Sequence, residues 1–582
     1  MTFNKALGRL ALLILLTVLS PALPTSAHAN LVHSDPEGGA VLQTAPQTIS
    51  LEFSEEADPA GSALTLFNAD GDMLIDGQAR VDPASPKVMT LNLNHMPDGT
   101  YVLLPEGTYS AVWKAQSAVD GHVTNGSIGF SVGVESTPAS LLPPPGTSDP
   151  ATELPPITGT IVRWLGFLSA ALAAGSVMFG LFVWRPAFRR TADGDHHQAD
   201  THARGTLQRI ALIAIAILAV ATLLSVLVQA SAASGTSIFD TFGGPLEQAL
   251  SGRFGLIIGA RLLLLALLAF VVSRLSPPGT EKPTIWWAAL ALAGGVLLTF
   301  SLQSHSAALG VIPVASDFLH MAAMSAWVGG LLPLGLLLRS SGSGEAQNLP
   351  ASSLIPRFST LALAATATLA LTGLYNALTH VQTWDALTDT TYGRALMVKV
   401  GLFVLILIFG AANLFALTPR LKRESTVRWF GRTIRTELAI GVVVLVATAV
   451  LTAVSPASEA LVAQRQLGIH ESAQTGGVGI DLRIAPGQVG YNEFGVDITD
   501  HRPGAEAVQP QVLLRFTTLS HDKGSQHDMG TTQVEAKGEE NGRYTARGSY
   551  ISMGGTWQVE VIMRRAGFDD VRSTFTLPAG TQ

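Results

Sequence analysis

The sequence contains no cysteine. Disulfides, zinc–thiolate sites, iron–sulfur clusters and thiol catalysis are therefore ruled out, and a transition metal could be held only by His, Met, carboxylate or main-chain nitrogen. Charge is also scarce: 14% of residues are charged, against about 25% in a typical soluble protein. The net charge of −7 shows no basic footprint, so no nucleic-acid partner is expected. No G-x-x-x-x-G-K-[ST] loop occurs, so no nucleotide partner is expected either. What the chain does have is apolar surface. It is 47% hydrophobic, with a mean hydropathy of +0.35 over 582 residues. That length exceeds one domain, and the balance predicts a multi-span membrane protein.

The first residues read as a secretory signal. Lys5 and Arg9 supply a positive start, Leu10 to Leu19 a short apolar run, and Pro21 and Pro24 break the helix before small residues. Cleavage after Ala27 makes His28 the mature N-terminus. The motif Ala27-His28-Ala29 fits the A-x-A pattern better and would discard that histidine.

From about residue 30 to 134, runs such as Ile49–Phe53, Ala63–Phe67, Val88–Leu93, Tyr109–Trp113 and Gly126–Val132 alternate between Gly, Pro and Asp turns. That pattern suits a small β-sandwich. A Pro/Ser/Thr-rich linker follows at 136–156. Eight apolar stretches come next, near 159–183, 208–231, 255–273, 284–304, 315–338, 358–380, 395–416 and 436–455. The tail returns to β character in Val478–Ile484, Phe494–Ile498, Val512–Phe516, Tyr544–Ser549 and Trp557–Met563. The expected fold is thus a mixed membrane protein with five parts. They are a signal peptide at 1–27, a β-sandwich at 28–135, the linker, an eight-helix transmembrane domain at 157–457 and a second β-sandwich at 465–582.

Charge placement sets the expected orientation. Arginines and lysines gather in the loops after spans 1, 3, 5 and 7, the last holding Arg420, Lys422, Arg423, Arg428, Arg432 and Arg435. Segments 305–314 and 381–393 have none. The positive-inside rule then places both terminal domains outside the cytoplasm, in agreement with an exported N-terminus. Gly255 before Arg261 and Gly393 before Lys399 share a spacing that reads either as a four-plus-four duplication or as coincidence.

Three groups of residues could carry chemistry. The first is His28 with Asp120 and His122. A terminal amine and its imidazole form a chelate, and a carboxylate with a second imidazole completes the tetragonal N,O set that Cu(II) prefers. The spacing Asp120-Gly121-His122 also reads as a simple turn. The second group is His305 with Asp317, His320, Met321 and Met324, the last four falling on one helical face. Ionisable residues inside a membrane are costly and are candidate functional groups. Imidazole with thioether suits Cu(I), although a Met stripe also reads as packing. The third group is His527 and Met529, with His521 and Met553 nearby, where a solvated turn histidine is the competing reading. His33 and His380 are further histidines of lesser weight, and the loop residues His196, His197 and His202, mixed with aspartates, could receive metal on the inner side or simply form a polar loop.

The segments HANLVHSDPEGGA (His28 to Ala40) and EGTYSAVWKAQSAVDGHVTNGSIGFSV (Glu106 to Val132) resemble the periplasmic copper-binding CopC family. That resemblance implies Cu(II) ligation by His28, Asp120 and His122 and favours cleavage before His28. The family's Met-rich run for Cu(I) is missing, and the segment from His95 to Pro105 departs from its pattern. SHSAA (Ser304 to Ala308), DFLHMAAMSAWVGGL (Asp317 to Leu331), RFS…TGLYNA (Arg357 to Ala377), YGRALMVK (Tyr392 to Lys399), Asn413 and RTE (Arg435 to Glu437) resemble the CopD family. Together they look like a CopC–CopD fusion, and the tail resembles YtkA-like domains. The resemblance implies copper import or transfer across a bacterial inner membrane, with copper ions as ligand, a periplasmic donor protein as a conceivable partner, and no enzymatic activity. Arg261 and Lys399 read as structural charges that neutralise helix ends or pair with Glu437. Two other functions compete: copper sequestration without transport, and a membrane redox protein with His305 and His320 on a b-type haem.

Overall fold

The computed structural model describes residues 31–37, 40–59, 61–68, 73–77, 80–82, 84–93, 104–118, 123–133, 155–188, 197–234, 237–275, 283–340, 351–381, 383–413, 424–458, 460, 469–485, 487, 490–500, 502, 509–518, 532–538, 543–551 and 555–579.

In the N-terminal region, β1 (Leu31–Asp35), β3 (Thr48–Phe53), β7 (Ser85–Asn92) and β6 (Arg80–Asp82) form one sheet in that order. A second sheet runs β2 (Val41–Leu42), β9 (Val123–Val132), β8 (Gly107–Gln116), β4 (Ala63–Asn68) and β5 (Met73–Gly77). Strict alternation explains the layering: Ile49, Leu51 and Phe53 of β3 are buried while Thr48 and Glu52 face solvent. Phe53 meets Trp113 of the other sheet edge-on at 5.2 Å. The hairpin β8–β9 is paired along its length from Gly107↔Val132 to Gln116↔Val123.

Among the described residues, eight helices are long and apolar enough to cross a membrane. They are span 1 (Ile157–Phe188), span 2 (Asp200–Ala232), span 3 (Arg253–Ser273), span 4 (Thr284–Ser301), span 5 (Val311–Arg339), span 6 (Ser353–His380), span 7 (Thr391–Ala412) and span 8 (Gly431–Leu451). Spans 1 and 5 form the centre, with 78% and 67% of their most apolar windows buried, whereas span 7 has 6%. Small residues allow that centre to close. A Cβ on Gly329 would stand 1.9 Å from the Ala171 carbonyl oxygen, and one on Gly175 2.3 Å from that of Ser325. Backbones in lipid pack most closely at such glycines. Span 1 also holds a π-helical turn at Gly180–Trp184, and the Trp286 ring of span 4 lies where a side chain on Gly180 would sit.

The tail contains β10 (Ile469–Thr475), β11 (Val478–Ala485), β12 (Gly490–Asp500), β13 (Gln511–Thr518), β14 (Thr532–Gly538), β15 (Arg543–Ile551), β16 (Gly555–Arg564) and β17 (Val571–Ala579). The expected second β-domain forms, with its two layers joined through one strand. β14 pairs with β13 through Thr532 to Ala536 and with β15 through Lys537 and Gly538, so both layers belong to one eight-stranded sheet. One core fills it, with Phe494, Phe516, Val559 and Val561 fully buried. Thr475 and Ser573, on strands at opposite ends of the strand order, hydrogen-bond at 3.0 Å and bring its edges together.

Candidate functional site

Span 4 ends at Ser301, and Ser304 precedes a single 3-10 turn, His305–Ala307, from which span 5 begins. This turn folds back onto the first turns of span 5. The Ser304 hydroxyl donates to Asp317 Oδ2 at 3.1 Å, and the Ser301 side chain lies beside the same carboxylate. His305 is buried and close enough to interact electrostatically with Asp317.

One turn further along, His320 reaches span 6. Its Nδ1 lies 2.9 Å from Thr372 Oγ1, and the Thr372 hydroxyl donates to the Thr368 carbonyl at 2.7 Å. A threonine hydroxyl has one proton. With that proton committed to Thr368, Oγ1 accepts from Nδ1–H, which leaves His320 Nε2 with its lone pair. Outer-shell hydrogen bonds of this kind fix the tautomer of metal-binding histidines. The ring lies against Gly373, where a Cβ would come 3.5 Å from Cε1. Ser316 donates to Asn376 Oδ1 at 3.0 Å and ties the same two helices a turn closer to the start of span 5.

The four-residue face of span 5 therefore divides. Asp317 and His320 address the Ser304 turn and span 6, while Met321 is buried in the interhelical core and Met324 packs against that core. Among the described residues, no three His, Asp or Glu side chains stand close enough together to hold a metal ion.

Arg261, Lys399 and Glu437 are further ionic groups of the helical domain, the first and last of them buried. Arg261 of span 3 is 4% exposed. It donates to Thr299 Oγ1 at 2.8 Å and to Gln303 Oε1, with its guanidinium 3.9 Å from the Phe300 ring centroid. It thereby fastens span 3 to the end of span 4, in keeping with a structural charge. Glu437 of span 8 accepts from the Asn413 amide, whose oxygen accepts from Thr433 at 2.6 Å. Of the two structural roles the sequence suggests for Lys399, neutralising a helix end or pairing with Glu437, the second does not form: no ion pair joins the two residues. Lys399 acts electrostatically on Asp317 and His320 instead. A charge in the middle of an apolar helix does not announce its partner, because that depends on which face the helix turns inward.

Thr372, Ser304, Asn376 and Lys399 all lie inside motifs quoted above, but nothing in their spacing separates them from their neighbours. His380 is buried and its ring centroid lies 6.2 Å from that of Tyr392. Near the junction of spans 1 and 2, Asp200 accepts from Trp184 Nε1 at 2.9 Å and Arg204 Nε at 2.8 Å. His28, Asp120 and His122 fall outside the described residues, the last two in the connection between β8 and β9. His527 and Met529, with His521 and Met553, also lie outside them, the first two between β13 and β14.

Three family models match the chain. They are the CopC domain over residues 31–133, the N-terminal domain of copper resistance protein D-like proteins over 155–314, and copper resistance protein D over 352–451. Copper transport protein CutJ of Bacillus subtilis (strain 168) is 30% identical over 576 residues, covering 97% of this chain and 98% of that protein. Inner membrane protein YebZ of Escherichia coli (strain K12) is 26% identical, covering 51% of this chain and 98% of YebZ. Protein YobA of the same strain is 34% identical over 120 residues, covering 20% of this chain and 90% of YobA.

Proposed function

The chain belongs to the family of CopC–CopD fusion proteins of copper transport and resistance, and from that premise we propose that it captures copper outside a bacterial inner membrane and passes it inward through span 5. Cu(II) is taken by His28, Asp120 and His122 of the exported domain. After one-electron reduction by an external donor outside the membrane, the ion travels inside it as Cu(I), past His305 and Asp317 to His320, with Met321 and Met324 as soft donors deeper in the helix. Both terminal domains face the periplasm, His527 and Met529 of the tail offer an accessory site, and a periplasmic donor protein can load the N-terminal domain. The signal ends at residue 27, and the membrane domain extends over 157–457 with the tail domain from 465.

The observation that carries this reading is the chain His320–Thr372–Thr368. It holds an imidazole in the tautomer a metal needs, beside a carboxylate, within helices long enough to span a bilayer. A monovalent cation entering along the membrane potential gains about 2.3 kcal/mol per 100 mV, so inward movement needs no nucleotide.

The test is cytoplasmic copper, by elemental analysis of spheroplasts at low external copper, in cells with wild type, His320→Ala or empty vector. Wild type is expected to accumulate copper and His320→Ala to fall to the vector level. Equal cytoplasmic copper in all three, with extra copper retained outside, would overturn transport in favour of sequestration by the N-terminal domain.

A further inference from the structure

Span 7 is the least enclosed of the eight helices, and its one inward face carries an unexpected residue. Ile406 is 1% exposed, and Phe403 meets Trp327 of span 5 edge-on, with ring centroids 6.3 Å apart. Lys399 lies seven residues before Ile406 and four before Phe403, hence on that same face. Spans 5 and 7 enter the bundle from the same side, because one span separates them. His320 is the tenth residue of span 5 and Lys399 the ninth of span 7, so they lie at similar depth. This register agrees with the electrostatic influence of Lys399 on both Asp317 and His320.

Among the described residues Lys399 nonetheless forms no ion pair within 4.0 Å. The Asp317 carboxylate is held by the Ser304 turn, and the ammonium stands off from it at the end of a flexible four-carbon stem. A cation placed there without function would be costly in lipid. A cation placed there beside a copper path opposes the cargo.

We propose that Lys399 is a tethered counter-cation, which balances Asp317 when span 5 is empty and competes with an incoming cuprous ion for the field of that carboxylate. It thereby keeps span 5 from holding copper so tightly that release stops. This inference rests on the reading of span 5 as a copper path. Conduction of any ion requires a site favourable enough to enter and weak enough to leave, and a built-in competing charge supplies the second condition.

The experiment measures Cu(I) affinity of the detergent-purified full chain by competition with the chromophoric chelator bicinchoninate under reductant. The span 5 site is defined as the copper lost on His320→Ala. Lys399→Met is expected to tighten that site by roughly ten- to thirtyfold, the effect of one unit charge several ångströms away in a partly screened interior. Lys399→Arg, which keeps the charge, should stay within about twofold of wild type. The double variant Asp317→Asn/Lys399→Met should bind about tenfold more tightly than Asp317→Asn alone. That pair keeps the test standing if Lys399→Met does not fold. Equal affinities within either comparison would overturn the counter-cation and leave Lys399 as a structural charge. If wild type and His320→Ala bind the same amount of Cu(I), the copper path through span 5 fails first, and the two failures are thereby distinguished.

Discussion

Two polar clusters sit inside the helical domain, and they satisfy their charges differently. In the cluster of spans 7 and 8, Asn413 uses both ends of its amide, accepting from Thr433 and donating to Glu437, with Asn413 and Glu437 7% and 5% exposed. All three residues belong to adjacent helices, and both bonds join one of those helices to the other. In the cluster of span 5, the groups come from the Ser304 turn, span 6 and span 7. His320 Nε2 keeps its lone pair, and Lys399 stands off from Asp317. A closed network fastens helices together. An open one, assembled from several elements, can take in an ion without breaking its own bonds first.

The largest effect expected from perturbing this contrast comes from Gly329, outside both clusters. Span 5 can present its open cluster only because its backbone lies against span 1 at Gly329 and Gly175. Gly329→Leu places a branched side chain where even a Cβ meets the Ala171 carbonyl oxygen at 1.9 Å. Overpacking typically costs 1–3 kcal/mol where side chains can shift, and here the obstacle is backbone, so about 3 kcal/mol or more is expected. Size-exclusion chromatography of the detergent-solubilised protein should show loss of the monodisperse peak. A stable, monodisperse Gly329→Leu protein would mean that the crossing does not position span 5.

The next effect is chemical rather than steric. Thr372→Val keeps the shape of the side chain but removes the acceptor of the His320 Nδ1–H bond. The ring is then free to change tautomer and present a protonated Nε2. Losing an outer-shell partner of this kind costs about 10–100-fold in metal affinity. Cu(I) competition should therefore show at least about tenfold weaker binding, with little change in melting temperature. Binding at the wild-type level would show that Thr372 only packs against span 5.

The layout of the molecule was legible in the sequence because it depends on local properties. Apolar runs long enough to span a bilayer, and alternation such as that of Thr48–Phe53, report on burial without reference to any partner. The polar face Asp317–His320 was legible for the same reason, since ionisable residues stand out in an apolar helix. What stayed hidden was pairing. The sequence offers Lys399 a helix end or Glu437 as its counterpart, whereas the inward face of span 7 turns it to span 5. Thr372 looked like any other threonine in a helix rich in them. In the tail, alternation identified five strands, but not that β14 would bend to join both layers, which a two-residue contact with β15 decides. Contacts between elements distant in sequence are set by packing, and a single chain carries few marks of them.

The smallest expected effect tests the closed side of the comparison. Glu437→Gln preserves the shape of the side chain and an oxygen able to accept the Asn413 amide proton. The network exchanges a charge-assisted hydrogen bond for a neutral one, a difference of about 1 kcal/mol, and removes a carboxylate that is costly to keep charged in lipid. These two changes oppose each other. Melting temperature is expected to move by no more than a few degrees, and spheroplast copper to stay within about twofold of wild type. The same neutral exchange at Asp317 has no such protection, because Asp317→Asn leaves Lys399 without its counter-charge and withdraws the field that attracts a cation. If Glu437→Gln instead abolished copper accumulation while the protein stayed folded, the closed network would not be merely a fastening. The carboxylate of span 8 would then lie on the path itself, and the distinction between the two clusters would be one of position along the route rather than of role.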